Sequence, residues 1–192
     1  MSIKLSVLIP VWNQEDLVIK ALDHLPRRDD MEIIVRDDGS TDNTLANLMR
    51  YRKEHPELNL TVSSNDVNQG VARTKNRLLK DAKGEWVHIH DSDDWVYTEL
   101  YDEMISEWLA SYSDVDIVCM DLEINSGERL PLNDLTKVAY CAQIARFIKR
   151  SFIKGITFPE EIRAGDDRYF ADEMLARDPK TVYSGIMAYH YN

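Results

Sequence analysis

Short apolar runs alternating with helical patterns dictate most of what this chain can become. Leu5-Ser6-Val7-Leu8-Ile9 reads as a buried strand. Asn13 follows as a helix N-cap, and Val18, Ala21, Leu22 and Leu25 recur at helical spacing. Glu32-Ile33-Ile34-Val35 is a second strand, and Leu45, Leu48 and Met49 mark a helix started by Ser40 or Thr41. Leu58 to Val62 is a third strand, Val71, Leu78, Leu79 and Ala82 line a third helix, and Trp86 to His90 is a fourth strand. Near-continuous apolar strands alternating with helices demand a mostly parallel sheet covered on both faces, hence an α/β fold. Ligands in such sheets bind outside the carboxyl ends of the strands, so the residues just after each strand are the place to look.

The second half is less regular. Tyr97, Tyr101, Met104, Ile105 and Trp108 form a helical stripe, and Asp116 to Met120 reads as a strand. Cys141, Ile144, Ala145 and Ile148 predict another helix, and Phe170 and Met174 a later one. Thr181 to Tyr183 and Ile186 to Tyr191 read as two closing strands, after which the sequence stops at Asn192. At 192 residues the chain is expected to form one domain. Cys119 and Cys141 show no paired metal or disulfide spacing and read as buried thiols in a reducing compartment. No stretch approaches the ~18 apolar residues of a membrane span. Leu5 to Trp12 is short, broken by Pro10 and lacks the flanks of a signal peptide, so a cytoplasmic location is expected.

The strand ends are rich in acid. Lys and Arg number 23 against 34 Asp and Glu, for a net charge of −11, which disfavours nucleic acid as a partner. Acidity alone keeps a protein soluble, yet some of these carboxylates are placed to hold a cation. Asp91-Ser92-Asp93-Asp94 follows the fourth strand. Such a cluster either caps the next helix from a solvated turn or holds Mg²⁺ or Mn²⁺ through hard oxygen ligands. Asp114-Val115-Asp116 repeats the spacing but precedes a strand and reads as a surface turn. Asp38, before Gly39, either serves a turn or accepts a hydrogen bond from a ring N–H such as that of uracil. Asn68-Gln69-Gly70 with Arg73, Lys75 and Arg77 is the densest basic segment, and it opens a helix whose amides favour a diphosphate or simply presents a solvated face. Asp166-Asp167 opens a late helix, where the dipole favours acids and where a general base could also stand. His190 alternates with Tyr189 and Tyr191 on the last strand; His88 and His90 read as strand residues without a role.

Taken in order, these segments resemble the family 2 glycosyltransferases of the GT-A fold. The resemblance runs from Ser6-Val7-Leu8-Ile9-Pro10-Val11-Trp12-Asn13 through Asp37-Asp38-Gly39-Ser40-Thr41-Asp42, Asn68-Gln69-Gly70-Val71, Lys83-Gly84-Glu85-Trp86 and Asp91-Ser92-Asp93-Asp94 to Tyr189-His190-Tyr191. It implies a Rossmann-like three-layer sandwich formed as a single catalytic domain over residues 1–192. Residues 1–95 would form the nucleotide-sugar half and 96–192 the acceptor half. It further implies an inverting transfer from a nucleotide-diphospho-sugar, expected to be a UDP-sugar, to the hydroxyl of a glycan, lipid-linked saccharide or protein. Pro10, Trp12, Asn13, Asp38, Gly70, Lys75, Asp91 and Ser92 would contact the donor, with Asp38 on uracil and Lys75 near the diphosphate. Asp93 and His190 would hold Mn²⁺ or Mg²⁺. Asp167, with Asp166 in place of the usual Glu, would supply the base. The family's Ala-Arg-Asn is here Thr74-Lys75-Asn76. Many relatives carry C-terminal helices for membrane attachment or further domains, and none is expected here.

Three other readings fit parts of the pattern. A haloacid-dehalogenase-type phosphotransferase needs a nucleophile and an acid two positions apart, whereas Asp37 and Asp38 are adjacent. A sugar nucleotidyltransferase needs a Gly-rich loop after the first strand, and Pro10-Val11-Trp12-Asn13 has no Gly. A non-catalytic nucleotide-sugar-binding subunit would differ by failing to turn over a donor.

Overall fold

The structure is a computed structural model and describes residues 2–133, 144–162 and 165–192. Strands β1 (Leu5–Val11), β2 (Met31–Asp37), β3 (Leu60–Ser64) and β4 (Trp86–Ile89) run parallel in the order β3-β2-β1-β4. Every residue of β1 is buried, as a strand flanked on both edges and covered on both faces must be. The connecting helices are α1 (Leu17–Asp23), α2 (Thr44–Glu54) and α3 (Val71–Asp81), the last packed on β1 and β2. Parallel neighbours bring the ends of β1 and β2 to one rim, with Val11 opposite Asp37.

Beyond β4 the sheet becomes mixed. β5 (Trp95–Val96) is followed by α4 (Thr98–Glu103), which continues through a π-helical turn (Met104–Trp108) into α5 (Leu109–Ser111). β6 (Ile117–Ile124), β7 (Arg129–Leu130), β8 (Arg146–Lys149), α6 (Asp166–Leu175) and β9 (Thr181–Tyr191) complete the described chain. The sheet order continues β4-β8-β6-β9-β5, with β7 added to β6. β8 is antiparallel to β4 and β6, whereas β9 runs parallel to β6 and carries β5 antiparallel. Among the described residues no helix is long and apolar enough to cross a membrane.

Several local expectations are corrected. Asn13 has φ 51, outside the extended backbone usual for an Asn N-cap, and α1 starts at Leu17 with Asp16 in the cap position. Ser40 and Thr41 stay in the loop because Asn13 and Asp37 bind them: the Thr41 amide donates to Asn13 Oδ1 (2.8 Å) and the Ser40 amide to Asp37 Oδ2 (3.2 Å). The helix expected from Cys141 to Ile148 gives way to β8 from Arg146, where burial between β4 and β6 overrides the helical spacing. Cys141 itself lies outside the described residues, whereas Cys119 is a buried thiol. The two closing strands are one, β9, broken in register against Cys119–Leu122. Val71 is exposed at the rim rather than in the core.

Gly39 explains the tight rim. It has φ +71, and a Cβ there would lie 2.5 Å from the Val67 carbonyl carbon and 2.7 Å from the Asn68 nitrogen. The loop after β2 therefore packs backbone to backbone against the loop that opens α3. Gly39→Ala adds both left-handed strain and a backbone clash, a loss on the order of 3 kcal/mol. Gly185 has φ +68 but open space around it, so Gly185→Ala loses only about 1 kcal/mol. Thermal unfolding of the two variants should rank them in that order; equal losses would refute the close approach at Gly39.

Candidate functional site

A hollow of about 240 Å³ opens at the carboxyl ends of β1, β2 and β4. Pro10, Val11, Trp12 and Gln14 form one side, Asp38 the floor, Asn68, Gly70, Val71 and Thr74 the side of α3, and Asp91, Ser92 and Asp93 the far wall. Trp12 is 51% exposed, an aromatic face left uncovered beside a polar hollow. Flat rings of that kind stack on flat ligands.

Asp38 organises the α3 side. Its Oδ1 accepts from Asn65 Nδ2 (2.6 Å) and the Gln69 amide (3.0 Å), and its Oδ2 from the Gly70 amide (2.8 Å). These bonds fix the turn from which α3 starts and leave acceptor capacity on Oδ2 at the hollow. Asp37 faces other partners: Ser64 Oγ donates to it at 2.9 Å and Ser40 donates through both amide and hydroxyl. Asn13 does not line the hollow; it ties the end of β1 to the Ser40–Thr41 turn.

The basic run on α3 separates around the helix. Arg73 pairs with Glu160 (2.8 Å) and Arg77 donates to Asn65. Lys75 turns inward and is only 5% exposed. Its Nζ donates to Asp167 Oδ1 at 2.5 Å and to Asp166 Oδ2 at 3.3 Å. Burial alone would lower its pKa, but Asp167, Asp91 and Asp166 outweigh that and hold it above the ordinary lysine value. One ammonium thereby ties α3 to the first turn of α6 and lies in the field of Asp91 on the loop after β4. The excess of acid shows on Asp91: burial raises its pKa to about 6, Lys75 opposes, and Asp167, Asp93 and Asp166 push it further up.

The last strand braces the acidic loop from behind. Asp94, 1% exposed, accepts from Tyr189 Oη (2.6 Å) and the Asn192 amide (2.9 Å). Burial raises it to about 7 against the pull of these two donors. His90 donates from Nδ1 to the Asp91 carbonyl (2.7 Å), and burial lowers its pKa to about 4, so it is neutral. The two strand histidines thus include one that shapes the site.

His190 is placed elsewhere. It pairs in register with Trp95, its ring stacks on that indole at 3.6 Å, and Lys20 Nζ sits 3.3 Å from the centre of the same indole. Burial lowers its pKa, with Glu123 opposing, and it is not among the residues lining the hollow. The structure therefore brings Asp91 and Asp93 together with Asp166, Asp167 and Lys75, and leaves His190 behind Trp95. Asp91 and Asp93 offer hard oxygen donors in a cluster short of positive charge, which suits a divalent cation. Among the described residues no three His, Cys, Asp or Glu side chains converge as a metal site.

Sequence reasoning missed Asn65, Tyr189 and the Lys75 ion pairs. Asn65 directly follows β3 and was open to the strand-end rule. The pairing of Lys75 with residues more than ninety positions away left no local signal.

Residues 6–165 match the family described as Glycosyl transferase family 2. The chain is 31% identical to a poly(ribitol-phosphate) beta-glucosyltransferase of Bacillus spizizenii, over 98% of this chain and 32% of the relative. It is 29% identical to the poly(ribitol-phosphate) beta-N-acetylglucosaminyltransferase TarS of Staphylococcus aureus, over 98% of this chain and 35% of that protein. The crystal structure of S. aureus TarS 1-349 in complex with UDP-GlcNAc superposes with a TM-score of 0.81 at 26% identity, covering 98% of this chain and 58% of that one. The chain thus spans about a third of the length of these curated relatives.

Asp91 and Asp94 both titrate above the ordinary carboxylate value of 3.8. Between that value and their own, the folded state binds more protons than the unfolded one, so stability falls as pH rises from about 4 to about 7. Asp91→Asn removes one of the two contributions. Its melting temperature should fall less steeply over that window than the wild type's; identical slopes would show that the acidic cluster does not hold Asp91 above the ordinary carboxylate value.

Proposed function

The chain belongs to glycosyl transferase family 2, and on that premise we propose that it transfers a sugar, with inversion, from a UDP-sugar to an acceptor hydroxyl. The observation that carries this reading is the Lys75 ion pair, which sets Asp167 beside the acidic wall of the hollow at the strand ends. Uracil would stack on Trp12 and donate its ring N–H to Asp38. The diphosphate would lie between the amides at the start of α3 and the loop of Asp91 to Asp93.

Asp167 is the base. Its side chain is 38% exposed, so an incoming hydroxyl can reach it, while Lys75 fixes one of its oxygens. The acceptor oxygen forms a bond to the anomeric carbon, the bond from that carbon to the diphosphate breaks, and the hydroxyl proton passes to Asp167. The transition state has oxocarbenium character, as in other glycosyl chemistry. Asp166, buried against Lys75, orients the pair. A divalent cation held by Asp93 and Asp91 would neutralise charge on the departing diphosphate. His190, stacked on Trp95, would have to leave that stack to join it. The names of the relatives favour a glycan or polyol-phosphate acceptor.

Asp167→Asn should lower turnover of a UDP-sugar on the order of 10²- to 10⁴-fold while UDP binding is unchanged. Unaltered turnover would remove Asp167 from its role. In a second measurement, Mn²⁺ should strengthen UDP binding to the wild type and have no effect on Asp93→Ala; the same metal response in both proteins would reject Asp93 as a ligand. A protein that binds UDP-sugars but never turns them over would favour a binding subunit over an enzyme.

A further inference from the structure

A second hollow lies away from the nucleotide rim. It measures about 580 Å³ and is walled by the C-terminal half of α3 and the loop that follows β8. Its polar rim is cationic: Lys80, Arg150 and Lys154 line it, with one acid, Glu85. Glu85 is bound by Lys4 at 3.1 Å. Arg150 donates to the Gly84 carbonyl (2.6 Å), a neutral partner that leaves its charge uncompensated. Among the described residues neither the Lys80 nor the Lys154 ammonium pairs with a carboxylate, and both residues are exposed. In a chain of net charge −11 such a concentration of unpaired positive charge is a local reversal of the field.

The hollow also leads somewhere. It shares Gly155, Ile156 and Thr157 with another of about 320 Å³, walled by Pro159, Tyr169 and Glu173. Tyr169, 56% exposed, stands on α6, whose first turn carries Asp166 and Asp167. Asn76, on the wall of the basic hollow, is the neighbour of Lys75 in α3. Two adjoining hollows thus extend from the cationic cluster to an exposed aromatic ring on the helix that bears the proposed base.

We propose that this basic hollow is an anion-binding site that holds a phosphodiester segment of an anionic acceptor chain while a hydroxyl further along that chain is at Asp167. Binding of the anion stands on the cluster of Lys80, Arg150 and Lys154 alone; its service to an acceptor rests on the transferase reading above. Lys80 and Lys154 meet phosphate as solvated point charges, so affinity for a chain of phosphates should be sensitive to salt and exceed affinity for a single one.

Inorganic polyphosphate serves as the probe, with inorganic phosphate as the single-anion comparison, titrated at low and physiological ionic strength. Lys80→Gln with Lys154→Gln should weaken polyphosphate binding about tenfold at low salt. Arg52→Gln with Lys53→Gln, an equal loss of charge at exposed positions of α2, should leave it unchanged. UDP binding should be unchanged in both. Equal polyphosphate binding by wild type and the Lys80/Lys154 variant, or equal weakening in both variants, would overturn the site. Polyphosphate affinity no greater than that of inorganic phosphate would leave an adventitious ion only and equally overturn it. A wild type that turns over no UDP-sugar while its polyphosphate response is intact would refute the transferase reading and not the anion site.

Discussion

One buried ammonium holds this site together. Lys75 is brought inside by α3 and meets two carboxylates from the start of α6 and the field of a third, Asp91. A lone ammonium in that position would be expelled or neutralised, and the carboxylates without it would repel one another. Each side of the pair is tolerated only because the other is there, and breaking a buried pair by removing one partner typically costs about 3–5 kcal/mol. The interaction therefore works as a tie between the two halves of the chain. It sets the acid expected to take a proton beside the acids expected to face a diphosphate.

Around that tie the rim is built largely from bonds to backbone. Asp38 fixes the turn before α3 through the Gln69 and Gly70 amides, and Asp37 and Asn13 fix the turn after β2. His90 and Asp94 fix the loop after β4, the latter through Tyr189 on β9 and the Asn192 amide just after it. Three loops from distant parts of the chain are thus held with few mobile parts, which is what positioning of a transferred group requires. The arrangement explains why so many carboxylates gather at one end of the sheet: some are ligands to the protein's own backbone, and the remainder face the hollow.

The parallel half of the fold was legible because its strands are short apolar runs with no alternative use, and because sheet topology then fixes where the strand ends meet. Pro10, Trp12, Asp38, Gly70, Asp91, Ser92 and Asp93 fall on that rim as their positions in the sequence implied. The second half was less legible, since helical spacing at Ile144, Ala145 and Ile148 was overridden by a place between two strands. Lys75 illustrates the same limit in the site. Its place in the basic run of α3 was readable, but its pairing with Asp166 and Asp167, which only the folded chain brings near, was not. His190, singled out by resemblance, has its ring stacked on Trp95, a contact that its neighbours in the sequence did not signal.

The most direct test of the central claim is a crystal structure of the chain with a UDP-sugar bound. Uracil against Trp12, the diphosphate between the start of α3 and Asp91–Asp93, and the anomeric carbon facing Asp167 is the arrangement that the tie through Lys75 predicts. A nucleotide seated away from that hollow, or a sugar turned from Asp167 with Lys75 still bound to it, would contradict the account.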